Sequence, residues 1–363
     1  MTTRPHADRL FLHGGRSLLV TALDGQVPRS AELGFYYQNT RLLARLEVCL
    51  DDRPLTPFVA DNARPDSLLA YAVAMKSDGL AADEVVVELT HLLSDGLCTR
   101  VTITNYGRER RATSELGIAL DADFADLREA ETGERLQHGS VDVQWQDPRL
   151  RFRYVHPSLD RAVDVVVRAS GPTTWRDGAL RTQLDLDPKE TAVVELVAEP
   201  VVADRHRHAS LRSPADETAP ARRLMRSLLD EAPTLQTSNA TVQRAWDTAL
   251  ADLAALPLGL EAGPFVPAAG VPNYLQLFGR DSLTVGAQAV MVMPQMLRDG
   301  LVVAAATQGR VRDDVELRGL NIGRSSVDVV FHRTRRGTSR WRVVRRHGPI
   351  GVVRARRSGP VNG

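Results

Sequence analysis

The sequence predicts a multidomain β + α protein, with a large antiparallel β-sandwich over residues 9–202 followed by a shorter helical stretch. Three observations carry this. About ten short alternating or β-branched runs, bounded by turn residues and spaced roughly ten residues apart, fill the first 200 positions. Apolar residues then recur at helical spacing from residue 222. The 363 residues, 43% apolar and 25% charged, have an ordinary globular composition and are long enough for two cores.

In chain order, the strand-like runs are 18–22, 42–50, 67–74, 84–92, 100–105, 140–145, 150–155, 162–169, 178–186 and 191–201. Asp24-Gly25 and Asn105-Tyr106-Gly107 read as hairpin turns, and Asp51-Asp52 with Pro54 close another strand. Strand order is left open by these patterns. Residues 203–221 are polar, with His206, His208, Pro214 and Pro220, and read as a linker. A short helix is expected over 222–230. A second runs from about 240 to 256, capped by Ser238 or Asn239 and stopped by Pro257, with Val242, Trp246, Ala249, Leu250 and Leu253 as its apolar stripe. A Gly/Pro-rich loop covers 259–272. Asp281 or Ser282 can cap a third helix through about Val292. A fourth opens at Pro294 and closes with Gly309 as its C-cap.

Composition excludes several classes. The longest apolar runs, such as 301–306, fall far short of the roughly 20 residues of a membrane helix. Residues 1–9 are polar and lack the apolar core of a secretory signal. Two cysteines, Cys49 and Cys98, are too few for a disulfide framework, so a reducing cytoplasm is the expected setting. His206 and His208 have no Cys or carboxylate cluster beside them, so no metal site is expected. The net charge of +1 hides an asymmetry. Residues 318–363 hold 12 of the 46 basic side chains and one of the 45 acidic ones, Asp328, so this tail carries +11 and the rest of the chain −10. From residue 321 onward there is no Leu, Glu, Gln or Lys.

The most informative stretch is 268–281, Ala-Ala-Gly-Val-Pro-Asn-Tyr-Leu-Gln-Leu-Phe-Gly-Arg-Asp. It places Arg280 and Asp281 at a helix N-terminus behind Gly279, which lets a backbone approach a ligand closely. Arg280 offers a rigid donor fork and Asp281 an acceptor, so together they can grip two vicinal hydroxyls of a sugar. Tyr274 and Phe278 can supply apolar faces. The same residues also fit a purely structural reading, with Asp281 as an N-cap and Arg280 paired to a nearby carboxylate.

This loop resembles the start of the toroid domain in bacterial and archaeal glycogen-debranching proteins, the amylo-α-1,6-glucosidase-like family. Residues 33–43, Leu-Gly-Phe-Tyr-Tyr-Gln-Asn-Thr-Arg-Leu-Leu, are similar to another family segment, with Gln38 and Asn39 standing where the family has Arg and Asp. Residues 121–127, Asp-Ala-Asp-Phe-Ala-Asp-Leu, and the pair Gln308-Gly309 match two more. The matches keep their order from about residue 10 to 310.

The resemblance implies a β-sandwich followed by the first helices of an (α/α) six-hairpin toroid. It implies hydrolysis of α-1,6 branch linkages in α-glucans without a cofactor. It places Arg280 and Asp281 in the subsite that holds the nonreducing glucose, while Asn39, Arg41, Asp123 and Asp126 read as turn or ion-pair residues. Hydrolysis needs two carboxylates flanking the scissile bond. Downstream of Gln308 the sequence offers only Asp313, Asp314, Glu316 and Asp328, so the catalytic residues are unassigned. Residues 222–310 can hold about four helices, a partial toroid whose exposed apolar faces invite self-association. Residues 311–363 read as out-of-frame coding or a disordered tail. Two alternatives stay open: a non-catalytic glucan-binding protein, and a nucleic-acid binder using the Arg-rich tail. The expected partner is a glycogen-like polysaccharide, with no membrane.

Overall fold

A computed structural model describes residues 8–75, 81–109, 111–203, 205–207, 220–256, 258, 265–272, 274–307, 315–322, 325–333 and 339–349. The chain divides into two compact units, Met1–Val303 and Ala304–Gly363. In chain order the strands of the first unit are β1 (Arg9–Gly14), β2 (Ser17–Ala22), β3 (Gly34–Tyr37), β4 (Thr40–Leu43), β5 (Arg45–Leu50), β6 (Arg53–Arg64), β7 (Ser67–Met75), β8 (Ala81–Leu93), β9 (Leu97–Asn105) and β10 (Ala112–Asp121). A short helix α1 (Leu127–Thr132) follows. Then come β11 (Ser140–Gln146), β12 (Arg149–His156), β13 (Leu159–Ala169), β14 (Thr173–Arg176), β15 (Ala179–Leu186), β16 (Thr191–Val202) and β17 (Arg205–His206). Four helices close the list: α2 (Pro220–Glu231), α3 (Ala240–Ala255), α4 (Gly279–Gln288) and α5 (Pro294–Thr307).

The expected sandwich is built from one long antiparallel sheet in the order β11-β12-β13-β16-β9-β8-β7-β6-β5-β10-β15-β14, with β17 beside β16. Its two arms close over a single core. Leu46, Leu116 and Leu180 from β5, β10 and β15 share one buried cluster with Val101, Phe152, Val163 and Val194 from β9, β12, β13 and β16. The alternation that makes these strands legible is the pleat itself. β5 buries Leu46, Val48 and Leu50 and turns Arg45, Glu47 and Cys49 the other way. Trp145 and Trp175 pack on this core, and Trp175 meets Phe152 edge-on at 6.0 Å.

Every expected strand is present, and the structure adds β1, β3, β6, β10, β14 and β17. β6 contains Pro54 and Pro57 and pairs with β7 through register shifts at Pro57/Val59 and Asp61/Arg64. The first of those bulges accommodates Pro57, while Pro54 sits at the start of the strand opposite Cys49 of β5. Asn105-Tyr106-Gly107 is not the expected hairpin. β9 pairs with β8 and β16, whereas β10 pairs with β5 and β15, so the turn carries the chain from one arm to the other. Asn105 holds that crossing: its Oδ1 accepts from Gly107 N (2.9 Å) and its Nδ2 donates to Leu186 O (3.1 Å).

A second, four-stranded sheet, β1-β2-β3-β4, is apolar on both faces. Leu12, Leu19, Phe35 and Tyr37 join the main core, while Leu18, Val20 and Tyr36 point to a separate cluster. That second cluster contains Leu127 and Ala130 of α1 together with Leu258, Ala268 and Leu275 from the region around the Gly/Pro loop. Burial on both faces explains why β2 reads as a continuous apolar run instead of an alternating one. It also explains how the sandwich fixes the loop that precedes α4. A buried ion pair adds to this junction: Arg222 of α2 donates through Nε to Asp66 Oδ2 at 2.9 Å, with the Arg side chain 4% exposed.

Helix α1 is set by a capping box. Asp126 accepts from Glu129 N, Glu129 accepts from Asp126 N, and Gly133 closes the helix at φ 72°. Helix α2 begins at Pro220 instead of 222, with proline in the first turn where its missing N–H costs nothing. Asn239 caps α3 as expected, accepting from Thr241 N and Val242 N. The α3 stripe is only partly covered: Val242 is 48% exposed, Ala249 is exposed, and Trp246, Leu250 and Leu253 are half-buried. A third buried cluster joins Leu228, Ala254, Phe265, Ala289, Met293 and Met296. No helix among the described residues is long and apolar enough to cross a membrane. Most of the expected linker, and Gln308-Gly309, lie outside the described residues.

In the second unit, β18 (Val315–Ile322), β19 (Ser325–Arg333) and β20 (Ser339–His347) form an antiparallel meander. Val327, Val329 and Val330 of β19 are buried. A composition that suggests a disordered or out-of-frame tail thus contains three paired strands, in which β-branched Val supplies the pleated surface.

Candidate functional site

The loop before α4 is built from backbone pairs. Ala268 N donates to Leu256 O (2.8 Å) and Leu258 N to Val266 O (3.1 Å). Gly270 and Tyr274 exchange backbone hydrogen bonds at 3.2 and 3.0 Å. Phe265 N donates to Asp299 Oδ2 of α5 at 2.9 Å. Ser282, 2% exposed, donates through its hydroxyl to Pro267 O at 3.1 Å and ties the first turn of α4 to the loop. With Leu258, Ala268 and Leu275 buried against β2, β3 and α1, this segment is pinned to the sandwich from below.

What remains above is exposed. Tyr274 (58%) and Phe278 (39%) meet edge to face, with centroids 5.7 Å apart. The side chain of Arg280 is 87% exposed, and its Nη2 lies 3.2 Å from Asp281 Oδ1 and 3.4 Å from Oδ2. The structure therefore brings all four sequence-predicted residues into one surface segment. Neither Asp281 nor Ser282 is the helix cap. Phe278 occupies that position, no side chain caps the helix there, and Asp281 sits in the first turn. The sequence places the cap too late because an apolar Phe gives no capping signal. Asp281 still favours the positive end of the helix. An exposed ion pair of this kind is worth at most about 1 kcal/mol, so a ligand can recruit both side chains at little cost. A Cβ added at Gly270 or Gly279 would meet nothing within 4 Å, and neither glycine has a left-handed φ. The fold places no steric demand for glycine there.

The other family-like segments do structural work. Gln38 and Asn39 form the β3–β4 turn at φ 49° and 65°. Arg41, 6% exposed, grips Asp123 with Nε–Oδ1 3.1 Å and Nη2–Oδ2 2.5 Å. Its Nη1 donates to the carbonyls of Ser30, Ala31 and Leu33 at 3.0, 2.7 and 3.2 Å, fixing the segment that leads into β3. Asp126 is the cap of α1.

Among the described residues no cluster of three or more His, Cys, Asp or Glu could hold a metal. His206 is exposed, with Nδ1 3.6 Å from Asp164 Oδ2, and His208 lies outside the described residues. Cys49 and Cys98 are free thiols, and burial pushes Cys98 up to about 11. Of the downstream carboxylates, Glu316 falls on β18 and Asp328 on β19, in strands and not in a helical hairpin, while Asp313 and Asp314 lie outside the described residues. Sequence reading missed a cleft of about 430 Å³ beside the loop, lined by Arg16, Gln38, Leu258, Leu275, Gln276 and Leu277. Leu275, Gln276 and Leu277 lie within the 268–281 loop and Gln38 within the 33–43 segment, but no local pattern in the sequence brings these segments and Arg16 together.

Residues 12–197 match the model of a family described as the N-terminal domain of (some) glycogen debranching enzymes. No curated protein matches the chain. Among solved structures, a kojibiose phosphorylase-like protein from the human microbiome aligns at TM-score 0.54 and 8% identity, covering 83% of this chain and 47% of its own. The chain thus spans about half the length of that neighbour, and the likeness extends the shared fold from the sandwich into the helical segment. A polysaccharide lyase aligns at TM-score 0.24 and 14% identity over 41% of this chain and 26% of its own, too weakly to bear on the fold. With its sandwich matched over half the chain, the protein belongs to the family of glycogen debranching enzyme N-terminal domains.

Proposed function

We propose that this chain binds α-glucan through the loop before α4, as the sandwich and opening toroid helices of a debranching-type glycoside hydrolase. In this reading residues 9–202 form the sandwich domain, 203–221 the linker and 222–310 the partial toroid. Arg280 donates to, and Asp281 accepts from, vicinal hydroxyls of the terminal glucosyl unit, while Tyr274 and Phe278 face its apolar C–H surface. One observation supports this above the others: a rigidly pinned loop leaves an aromatic pair and an ion pair together in solvent, where they contribute little to stability. Hydrolysis of α-1,6 linkages is the finer reading, carried by the family alone, and its acid and base are not assigned to residues here. Binding without hydrolysis is the activity this chain's own residues support. The two free cysteines fit a cytoplasmic setting.

Retardation of the full chain on a glycogen-containing native gel tests the binding. Arg280→Ala should abolish the retardation without lowering the unfolding temperature. Retardation unchanged in that variant removes the assignment. Glucose release from limit dextrin separates an enzyme from a binding module. Sequencing the gene and translating both other frames past residue 311 tests the out-of-frame reading of the tail.

A further inference from the structure

We propose that the cleft beside the loop is a neutral-oligosaccharide subsite, receiving the glucosyl units that follow the one held at Arg280–Asp281. It rests on that assignment and extends it. The cleft lies where two hairpin turns of the small sheet face the loop: Arg16 comes from the β1–β2 turn, Gln38 from the β3–β4 turn, and Leu258, Leu275, Gln276 and Leu277 from the loop region. Its roughly 430 Å³ falls in the range of small-molecule pockets. Residues 274–278 supply both the cleft wall and the exposed aromatic pair, so the two features are continuous along the chain.

The lining chemistry selects the ligand class. No carboxylate lines the cleft, and its one charged group is Arg16, whose guanidinium is a fixed fork of donors that suits sugar hydroxyl oxygens. What remains is two carboxamides and three leucines. A carboxamide is both donor and acceptor, as is a sugar hydroxyl, and Leu277, 39% exposed, suits the C–H face of a pyranose while Leu258 and Leu275 form the buried floor. Both carboxamides are carried on fixed backbone. Gln38 N donates to Arg16 O at 3.1 Å, which ties the two turns together. Gln276 N donates to Tyr274 O at 2.7 Å, and Gln276 O accepts from Ala269 N at 3.3 Å. Gln38 also holds a left-handed backbone at φ 49° without being glycine, a conformation that persists only where its surroundings enforce it.

Titration calorimetry of the full chain with maltose and maltohexaose tests this. The longer sugar should bind more tightly. Gln276→Ala and Gln38→Asn should each lower maltohexaose affinity about tenfold, the loss of roughly one hydrogen bond. Maltose affinity and the unfolding temperature should stay unchanged. Asn is chosen at 38 because it tolerates the left-handed turn while withdrawing the amide. Equal affinity for the two sugars, or unchanged maltohexaose binding in both variants, overturns the proposal. If Arg280→Ala abolishes binding while the cleft variants do nothing, the Arg280 site survives and the cleft alone falls. If neither sugar binds the wild-type chain, the Arg280 reading fails and takes the cleft with it.

Discussion

The sandwich and the helical segment of this chain satisfy their surfaces in different ways. The largest fully buried side chains, among them Tyr36, Phe35, Phe124, Phe152 and Leu19, all belong to the sandwich region. In α2, α3, α5 and the α4–α5 turn, Leu224, Val242, Val290, Met291, Leu301 and Val302 are exposed, Met291 to 87%. A sheet that folds over itself pairs its backbone and buries one face of most of its strands within its own residues. A helix hairpin of a ring buries only what its neighbours cover. The helical residues closest to full burial are therefore those that pack on one another, such as Ala254 of α3 and Met296 of α5. The contrast teaches that the stability of this chain resides in the sheet, and that the helices owe much of their order to it.

The largest expected effect tests the sheet side. Arg41→Ala leaves Asp123 without its partner and three loop carbonyls without a donor, and should cost about 3–5 kcal/mol in urea denaturation. A loss below about 1 kcal/mol contradicts the clamp. Next is pH. His91 is fully buried between Gly25 O (2.8 Å from Nε2) and the Thr99 hydroxyl (2.9 Å from Nδ1), and burial lowers it to about 4. Unfolded His binds a proton near 6.5, so between pH 6.5 and about 4 the unfolded state takes up protons that the native state refuses. Stability should be full above pH 6.5 and fall by about 3 kcal/mol as pH drops to 4. His13, lowered chiefly by burial, acts in the same direction. Denaturant melts across this range should show the slope, and His91→Gln should flatten it.

The helix side should behave differently. Met291→Ser and Val242→Ser should change stability by less than about 0.5 kcal/mol. If the open faces drive self-association, the double variant should shift the sedimentation profile toward monomer, and an unchanged profile counts against that role. The smallest expected change is at Gly279. With no atom within 4 Å of an added Cβ, Gly279→Ala should leave the melting temperature within about 2 °C. Weaker retardation on glycogen in that variant would then report ligand approach and not folding.

Much of the sheet was legible because pleating imposes period two on strands with one buried face, as in β5. β3 and β6 escaped, the first as a four-residue strand buried throughout and the second because it carries two prolines, one of them at a bulge. α1 carried a readable signal, Asp126 three residues before Glu129, in a segment too short for periodicity. Tyr274, Phe278, Arg280 and Asp281 were legible as a site because they lie within eight residues of one another. The cleft was not, since Arg16, Gln38 and Gln276 come together only when the small sheet buries Leu258 and Leu275.

The sequence by itself determined the order of β and α regions, most strand positions, the α3 cap at Asn239 and the four loop residues, because each depends on local periodicity or neighbours along the chain. Only the tertiary structure decided that β9 and β10 separate onto two arms, that Arg41 closes on Asp123, and that two sandwich turns flank the loop before α4. Those outcomes depend on which distant apolar faces meet, and burial between remote segments has no period that a single sequence displays.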